Sequence, residues 1–214
     1  MIIEVKALLF DNDGVLVDSH ANVEKCWAQW AEEYGIKGLN IANFHGTRAQ
    51  DTVLSLVGPE RFEEANNRIN ELEQVSAHET LAMPGARELL PSLPVDRWTI
   101  CTSANSRLGR ARLEGAGLPI PKQLVTGDDV ERGKPAPDPY LLGASRLGFS
   151  ASDCVVFEDA QAGALAAKAA GVAMVIGVSE YALITEADIV IEDLAGISFD
   201  GFKLEIPEHK ILRR

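Results

Sequence analysis

The sequence contains few cysteines and few basic residues. Its 214 residues include three cysteines, and 20 lysines and arginines stand against 32 aspartates and glutamates, for a net charge of −12. Cys26, Cys101 and Cys154 are widely separated and lack metal-ligand spacing, which predicts free, buried thiols in a reducing compartment. The acidic balance argues against nucleic acid or an anionic membrane as a partner, because both require a basic surface.

Long hydrophobic runs are also missing. No apolar stretch approaches the roughly 18 residues that a membrane-spanning helix needs. The N-terminus leads directly into the apolar stretch "VKALLF", so we expect no secretory signal. These features predict a cytoplasmic protein with no membrane partner, and we expect a monomer.

Short runs rich in valine, isoleucine and leucine recur along most of the chain, and segments with helical periodicity lie between most of them. This alternation predicts an α/β fold with a Rossmann-like parallel sheet covered by helices on both faces. The predicted strands are Lys6–Phe10, Arg97–Cys101, Gln123–Val125, Cys154–Phe157, Val172–Ile176 and Asp188–Ile191.

One interval, residues 17–83, breaks the alternation. Its apolar residues follow the helical period, and Gly35 is placed to end the first helix. We therefore expect a core formed by residues 1–16 and 84–214, with a small helical domain of residues 17–83 inserted into it. The three helices predicted in this insert are residues 23–34, 47–57 and 62–75.

The stretch "ALLFDNDGVLVDS" ends a predicted buried strand on Asp11 and Asp13. A polar turn is one interpretation, since Asp-Gly pairs are common in turns. A calcium loop of the EF-hand type is another, but that loop needs an acid or amide at its fifth position and a glutamate at its twelfth, where this sequence has Val15 and Asn22. Ligands of parallel α/β sheets bind at the carboxyl ends of strands, so a functional site is the third interpretation.

Three further polar motifs follow predicted strands. Thr102 and Ser103 in "CTSANS" could form an anion-binding turn or simply cap a helix. Lys134 lies in "RGKP", where an isolated lysine is ordinarily solvated. "VVFED" ends on Glu158 and Asp159, and buried acids are costly unless they are paired or bind a metal. Together with the first motif, these residues favour a site at one edge of the sheet.

The four motifs, "DNDGV", "CTS", "RGKP" and "FED", resemble those of the haloacid dehalogenase (HAD) superfamily over the whole chain. "HGTR", "RGKPAPDPYLLGA" and "VVFEDAQAG" add detail to the resemblance. It implies a HAD-like core whose helical insert is the small cap of that superfamily. The most similar subgroup contains bacterial sugar phosphatases, yeast-type glycerol-3-phosphate and 2-deoxyglucose-6-phosphate phosphatases, and beta-phosphoglucomutase.

The resemblance implies a catalytic role for three residues. Asp11 would attack phosphorus and form an aspartyl-phosphate, and Asp13 would act as general acid and then as general base. Lys134, together with Thr102 and Ser103, would neutralise the phosphoryl oxygens.

The resemblance also implies Mg²⁺ as cofactor. The ion would be held by Asp11, the backbone carbonyl of Asp13, and Asp159, with Glu158 acting through water or from behind these ligands.

Departures from the superfamily pattern narrow the expected activity. Asp13 is present, whereas dehalogenases lack this second aspartate and phosphonate hydrolases replace it. Beta-phosphoglucomutases carry a histidine that aligns with Val23, while His20 lies three residues earlier. Hydrolysis is therefore favoured over a mutase reaction. A non-catalytic phosphate- or metal-binding regulator on the same fold is the alternative from another class.

The insert is expected to select the substrate. It contains 11 acidic and five basic residues, which suits a small phosphate ester with a neutral hydroxylated body, such as a sugar or polyol monophosphate. Arg48 is expected to reach the phosphate when the cap closes, with a solvated surface arginine as the alternative. His45 is expected to hydrogen-bond a sugar hydroxyl, with a packed or exposed histidine as the alternative.

Overall fold

The structure, a computed structural model, describes residues 1–214. Seven α-helices alternate with short strands along most of the chain, and none of the helices is both long and apolar enough to cross a membrane. The helices are α1 (His20–Tyr34), α2 (Ala49–Val57), α3 (Phe62–Ser76), α4 (Ala86–Ser92), α5 (Ser106–Gly115), α6 (Asp138–Leu147) and α7 (Gln161–Ala170). The strands are β1 (Ile2–Glu4), β2 (Ala7–Phe10), β3 (Val17–Asp18), β4 (Leu81–Ala82), β5 (Trp98–Ile100), β6 (Cys154–Glu158), β7 (Met174–Val178), β8 (Ile189–Ile191), β9 (Ser198–Phe199), β10 (Lys203–Glu205) and β11 (Ile211–Arg213).

The centre of the molecule is a six-stranded sheet in the order β11-β8-β7-β6-β2-β5. Five of these strands are parallel, and β11 pairs antiparallel to β8 at one edge. The predicted fold class, a parallel-sheet α/β core, is confirmed.

The central strands are buried on both faces. Leu8 and Phe10 of β2 belong to one hydrophobic cluster, whereas Ala7 and Leu9 belong to the cluster on the opposite face. This alternation follows from the two-residue period of a strand. It explains why the strand sequences are apolar throughout rather than alternating with polar residues.

The strand predicted at Gln123–Val125 is wrong. Only Val125 makes a single bridge, to Cys101, and no ladder follows. Three of the strands that the sequence did not predict, β1, β10 and β9, form a separate antiparallel sheet beside the core. These strands are two or three residues long and contain polar or charged residues such as Glu4, Ser198 and Lys203, so they do not form apolar runs.

The insert contains α1, α2 and α3, and the chain enters and leaves it through the antiparallel pair β3–β4. Helix α1 ends at Gly35 in the left-handed conformation, with φ of 70°. The insert has its own small core around Trp30, whose indole N–H donates to the Ala65 carbonyl at 2.9 Å. We propose residues 17–83 as the cap, hinged at this strand pair.

Candidate active site

The motif residues meet where three neighbouring parallel strands end. Asp11 follows β2, and its backbone N–H donates to the Phe157 carbonyl of β6 at 2.9 Å. Glu158 is the last residue of β6, and Thr102 lies just beyond β5. Because β5, β2 and β6 are adjacent and parallel, their carboxyl ends place these residues at one edge of the sheet.

Lys134 lies at the centre of this edge. Its ammonium is 2.6 Å from Asp11 Oδ1 and 2.6 Å from Glu158 Oε1, and its side chain is fully buried. The sequence left open whether this lysine is an ordinary solvated residue, and the structure excludes that interpretation. The lysine instead forms a buried ion pair with two acids that follow different strands.

Glu158 has protein donors at both oxygens. Oε1 accepts from Lys134 and from the Tyr140 hydroxyl at 2.7 Å, while Oε2 accepts from the backbone N–H groups of Asp159 and Ala160. Gly163 permits this packing, because a Cβ at that position would lie 1.6 Å from Glu158 Oε1. Glu158 thus orients Lys134 and the start of α7, in keeping with an indirect relation to a metal.

The cluster carries excess negative charge. Burial, reinforced by Glu158 and its neighbours, raises the pKa of Asp11 even though Lys134 acts to lower it. Burial likewise raises the pKa of Asp159 to about 6. For Lys134, burial acts to lower the pKa, but Asp11 and Glu158 outweigh it, so the ammonium stays charged. Three buried carboxylates around one ammonium favour binding of a further cation.

The donor set fits a hard divalent cation. One carboxylate oxygen from each of Asp11, Glu158 and Asp159 lies within 4.8 Å of the others, and all three residues are buried. Oxygen-only ligands suit Mg²⁺. Gly14, with φ of 78°, leaves the space that Asp159 fills, since a Cβ there would lie 2.0 Å from Asp159 Oδ2.

Asp13 lies beside this cluster with partners of its own. Its Oδ1 accepts from the Ser19 hydroxyl at 2.6 Å and pairs with Arg112 Nη1 at 2.9 Å. The other end of the Arg112 guanidinium is 3.2 Å from Glu73 Oε1 on cap helix α3. Burial acts to lower the pKa of Arg112, but the two carboxylates raise it, so the arginine stays charged between them.

A cavity of about 170 Å³ lies above the cluster, lined by both the core and the insert. Asp11, Asp13 and Asp159 line it from the core side. Cap residues that also line it offer amides, a carboxylate and imidazoles: Gln50, Asn66, Asn70, Glu73, His20 and His45.

His20 and His45, which both line the cavity, stack face to face with ring centroids 5.1 Å apart. His20 Nε2 is 2.9 Å from Asp159 Oδ2. Burial acts to lower the pKa of His20, but Asp159 raises it above its ordinary value. Burial and the charge of His20 lower the pKa of His45, and its buried Nε2 has no protein partner. That nitrogen is a suitable partner for a substrate hydroxyl.

Arg48 is neither solvated nor free to bind phosphate in this arrangement. Its guanidinium forms two hydrogen bonds to Asp51, at 2.7 and 2.9 Å. Its remaining N–H groups donate to the backbone carbonyls of Gly127, Val130 and Glu131 in the core. The structure therefore gives no support to the expected phosphate contact, because every N–H group already has an acceptor. Arg48 instead links the cap to the core through these hydrogen bonds.

Arg48→Ala will lower kcat/KM by about 10- to 100-fold for p-nitrophenyl phosphate and for a sugar phosphate alike, because the cap will no longer dock accurately over the reacting groups. Inhibition by inorganic phosphate will change little, since every N–H group of Arg48 already donates to a protein acceptor. Arg68→Ala removes a half-buried arginine of the same domain that pairs with Glu33 and does not line the cavity; it is the control and should leave activity unaltered. A rise in the phosphate inhibition constant as large as the loss in kcat/KM would restore the phosphate role.

The Thr102 hydroxyl and the Ser103 backbone N–H remain available at the turn after β5. The N-cap of α5 is Asn105, whose side chain accepts from Leu108 N at 2.9 Å, so helix capping does not engage the two hydroxyl residues. Thr102 Oγ1 accepts from Ala104 N at 3.1 Å and keeps its proton to donate. Ser103 donates to the Gly46 carbonyl of the cap at 2.6 Å.

Several residues at the site were not among the sequence-predicted set, and three of them carry charge or can do so: His20, Glu73 and Arg112. A signal existed for two of them. Arg112 lies four residues after the buried Leu108, and Glu73 lies four residues after the buried Ile69, so each charge falls on the apolar stripe of its helix. A charge on such a stripe indicates a buried partner. For His20, the sequence offered only its position near the start of α1.

Fold and site together define a hydrolase with a doubly wound α/β core and an inserted helical domain over its reactive edge. Comparison with known families agrees, since residues 5–171 match the model of the haloacid dehalogenase-like hydrolases. The chain belongs to this family, and the resemblance seen in its four motifs is confirmed.

The curated relatives are phosphatases. The chain is 39% identical to hexitol phosphatase A of Escherichia coli (strain K12), over 90% of this chain and 93% of that protein. It is 31% identical to glycerol-1-phosphate phosphohydrolase 2 of Saccharomyces cerevisiae, over 96% of this chain and 89% of that protein. A crystal structure of a hydrolase from Pseudomonas syringae matches with a TM-score of 0.76 and 28% identity, covering 89% of this chain and 94% of that one. The expected enzyme class, a hydrolase of phosphoric monoesters, is confirmed.

Proposed function

We propose that this protein is a Mg²⁺-dependent phosphohydrolase that removes phosphate from a small sugar or polyol monophosphate through an aspartyl-phosphate. The observation that carries the proposal is the buried cluster of Asp11, Lys134, Glu158 and Asp159 beneath a cavity that both domains line. The proposed nucleophile, a fixed positive charge and an oxygen-rich cation site thus lie together at one edge of the sheet.

In the first step, an Asp11 carboxylate oxygen forms a bond to phosphorus while the bond from phosphorus to the alcohol oxygen breaks. The electron pair of that bond goes to the leaving oxygen, which takes a proton from the Asp13 carboxyl. In the second step, Asp13 removes a proton from water as the water oxygen attacks phosphorus. Inorganic phosphate is released and the Asp11 carboxylate is restored.

Charge control lets two acids approach a phosphate dianion. Lys134 holds Asp11 by an ion pair and places its ammonium beside the attacking oxygen. Thr102 and the Ser103 N–H would donate to phosphoryl oxygens. Mg²⁺ would be held by Asp11, Asp159 and the backbone carbonyl of Asp13, with Glu158 behind them, and it would neutralise the phosphate and the acids together.

The cavity wall supports a neutral, hydroxylated substrate body. Asn66, Asn70 and Gln50 present amides to the cavity. The positive charge of Arg112 is already balanced by two carboxylates, so it does not favour a second anion. Val23 also lines the cavity, and its apolar side chain lacks the imidazole that beta-phosphoglucomutases have at the aligned position. This supports hydrolysis over phosphoryl transfer between sugar hydroxyls.

The test is a phosphate-release assay of purified protein with Mg²⁺. Hexitol phosphates, glycerol phosphate and 2-deoxyglucose 6-phosphate should be hydrolysed in preference to phosphoglycolate, whose body carries a second negative charge. Absence of phosphate release from every ester would overturn the proposal. A preference for phosphoglycolate would be compatible with the proposed hydrolysis but would refute the proposed substrate class.

A further inference from the structure

Asp13 is held through only one of its two carboxylate oxygens. Both the Ser19 hydroxyl and Arg112 Nη1 converge on Oδ1, at 2.6 and 2.9 Å. No protein donor reaches Oδ2, and Asp13 lines the cavity. An oxygen that already accepts from two donors is a poor place for a proton, so the acid proton of Asp13 belongs on Oδ2.

Arg112 is fixed by a second carboxylate from the other domain. The residue is only 5% exposed on α5, and its Nη2 reaches Glu73 on α3 at 3.2 Å. Glu73 is itself only 5% exposed. A planar guanidinium can contact two carboxylates at once with fixed geometry, whereas an ammonium cannot span both in the same way. Helix α3 is also held to α5 by a hydrogen bond from Asn105 Nδ2 to Asn70 Oδ1 at 2.9 Å.

We propose that Arg112 is a positioning residue for Asp13: held by Glu73 of the docked cap, it fixes Oδ1 so that Oδ2 delivers its proton to the leaving alcohol. The inference rests on the proposed function, in which Asp13 is the general acid. A buried arginine of the core and a glutamate of the cap thus set the orientation of that acid. The docked position of the cap thereby affects proton delivery through Glu73, Arg112 and Asp13.

The leaving group tests this proposal. Proton delivery matters most when the leaving oxygen is strongly basic, and it matters little for p-nitrophenolate, which departs readily as an anion. The value of kcat/KM reports only the steps up to the first irreversible one, the loss of the alcohol, so the later attack of water does not affect it. Three esters with small bodies, p-nitrophenyl, phenyl and benzyl phosphate, span the required range of basicity.

We expect Arg112→Lys to lose about 100-fold in kcat/KM on benzyl phosphate and less than about fivefold on p-nitrophenyl phosphate, because general acid catalysis contributes about 10²- to 10⁴-fold. The loss in kcat/KM should depend on the basicity of the leaving oxygen in two further variants. The dependence should be stronger in Asp13→Asn and weaker in Glu73→Gln. Arg110→Gln, an exposed arginine on the same helix, is the matched control and should match the wild type on all three esters.

A second variant covers the case in which Arg112→Lys does not fold. Ser19→Ala removes the other donor to Oδ1 without breaking the buried ion pairs, and it should also lose more on benzyl than on p-nitrophenyl phosphate. Equal losses on all three esters, or no loss, in the folded variants would overturn the role of Arg112 and leave the proposed function intact. A wild-type protein that releases no phosphate from any ester, sugar and polyol phosphates included, would overturn the proposed function itself.

Discussion

Asp11→Asn will lower turnover by about 10⁴-fold or more, because it removes the attacking carboxylate and leaves an amide of the same size. The asparagine oxygen can still accept from Lys134, whose ammonium lies 2.6 Å from the native carboxylate. The substitution also removes one of three buried acids around a single ammonium. We therefore expect the free energy of unfolding to stay the same or to increase.

Two measurements check this result. Hydrolysis of p-nitrophenyl phosphate gives the rate, and acid quenching during turnover followed by mass spectrometry should detect phosphorylated enzyme in the wild type but not in Asp11→Asn. Asp96→Asn makes the same chemical change at an exposed position and serves as the control. A near-normal rate in pure, folded Asp11→Asn protein would remove Asp11 as the nucleophile.

The sequence predicts the parallel strands of the central sheet from their apolar runs. It predicts the helices from apolar residues that recur at the helical period. The strand β2 lies within the predicted Lys6–Phe10, and α3 begins at the predicted Phe62. The C-terminal strands, such as β9, were not predicted, because a strand of two residues has no period. The error at Gln123–Val125 has a different origin. Leu124 and Val125 are apolar and buried, but the segment makes one bridge only, and burial does not require a ladder.

At the site, local motifs and long-range contacts differ in how far the sequence reveals them. Asp11 and Lys134 lie in short motifs next to predicted strands, so topology brings them together without knowledge of any side-chain contact. The pairing of Arg112 with Glu73 joins two helices 39 positions apart in sequence, and no local pattern specifies which charge meets which. Arg48 was expected to reach the phosphate because arginine suits that anion. In the structure, Arg48 instead donates hydrogen bonds to Asp51 and to three backbone carbonyls of the core. Which acceptors an arginine binds depends on the packing of the folded chain, and the sequence alone does not specify it.

Removal of divalent ions will abolish activity, and Asp159→Asn will affect metal binding and stability in opposite directions. In the metal-free protein, the variant should be more stable than the wild type near pH 8. The pKa of Asp159 is raised from 3.8 to about 6 on folding, chiefly by burial, so its charged form is disfavoured in the folded state. Stability from protonation is fully present below about pH 4 and is lost as the pH rises through about 6. The advantage of asparagine should therefore grow over that interval and vanish below it.

Mg²⁺ should reverse this order. At a concentration 100 times its dissociation constant, a ligand that binds only the folded state stabilises it by about 2.7 kcal/mol. The wild type should gain this stability, whereas Asp159→Asn should gain much less, because it has lost an anionic ligand while keeping an oxygen for His20. Thermal unfolding at pH 5 and pH 8, with EDTA or Mg²⁺, measures both effects, and Asp96→Asn again controls for the loss of a charge. Full activity in EDTA, or equal stabilisation of Asp159→Asn and wild type by Mg²⁺, would show that Asp159 is not a metal ligand.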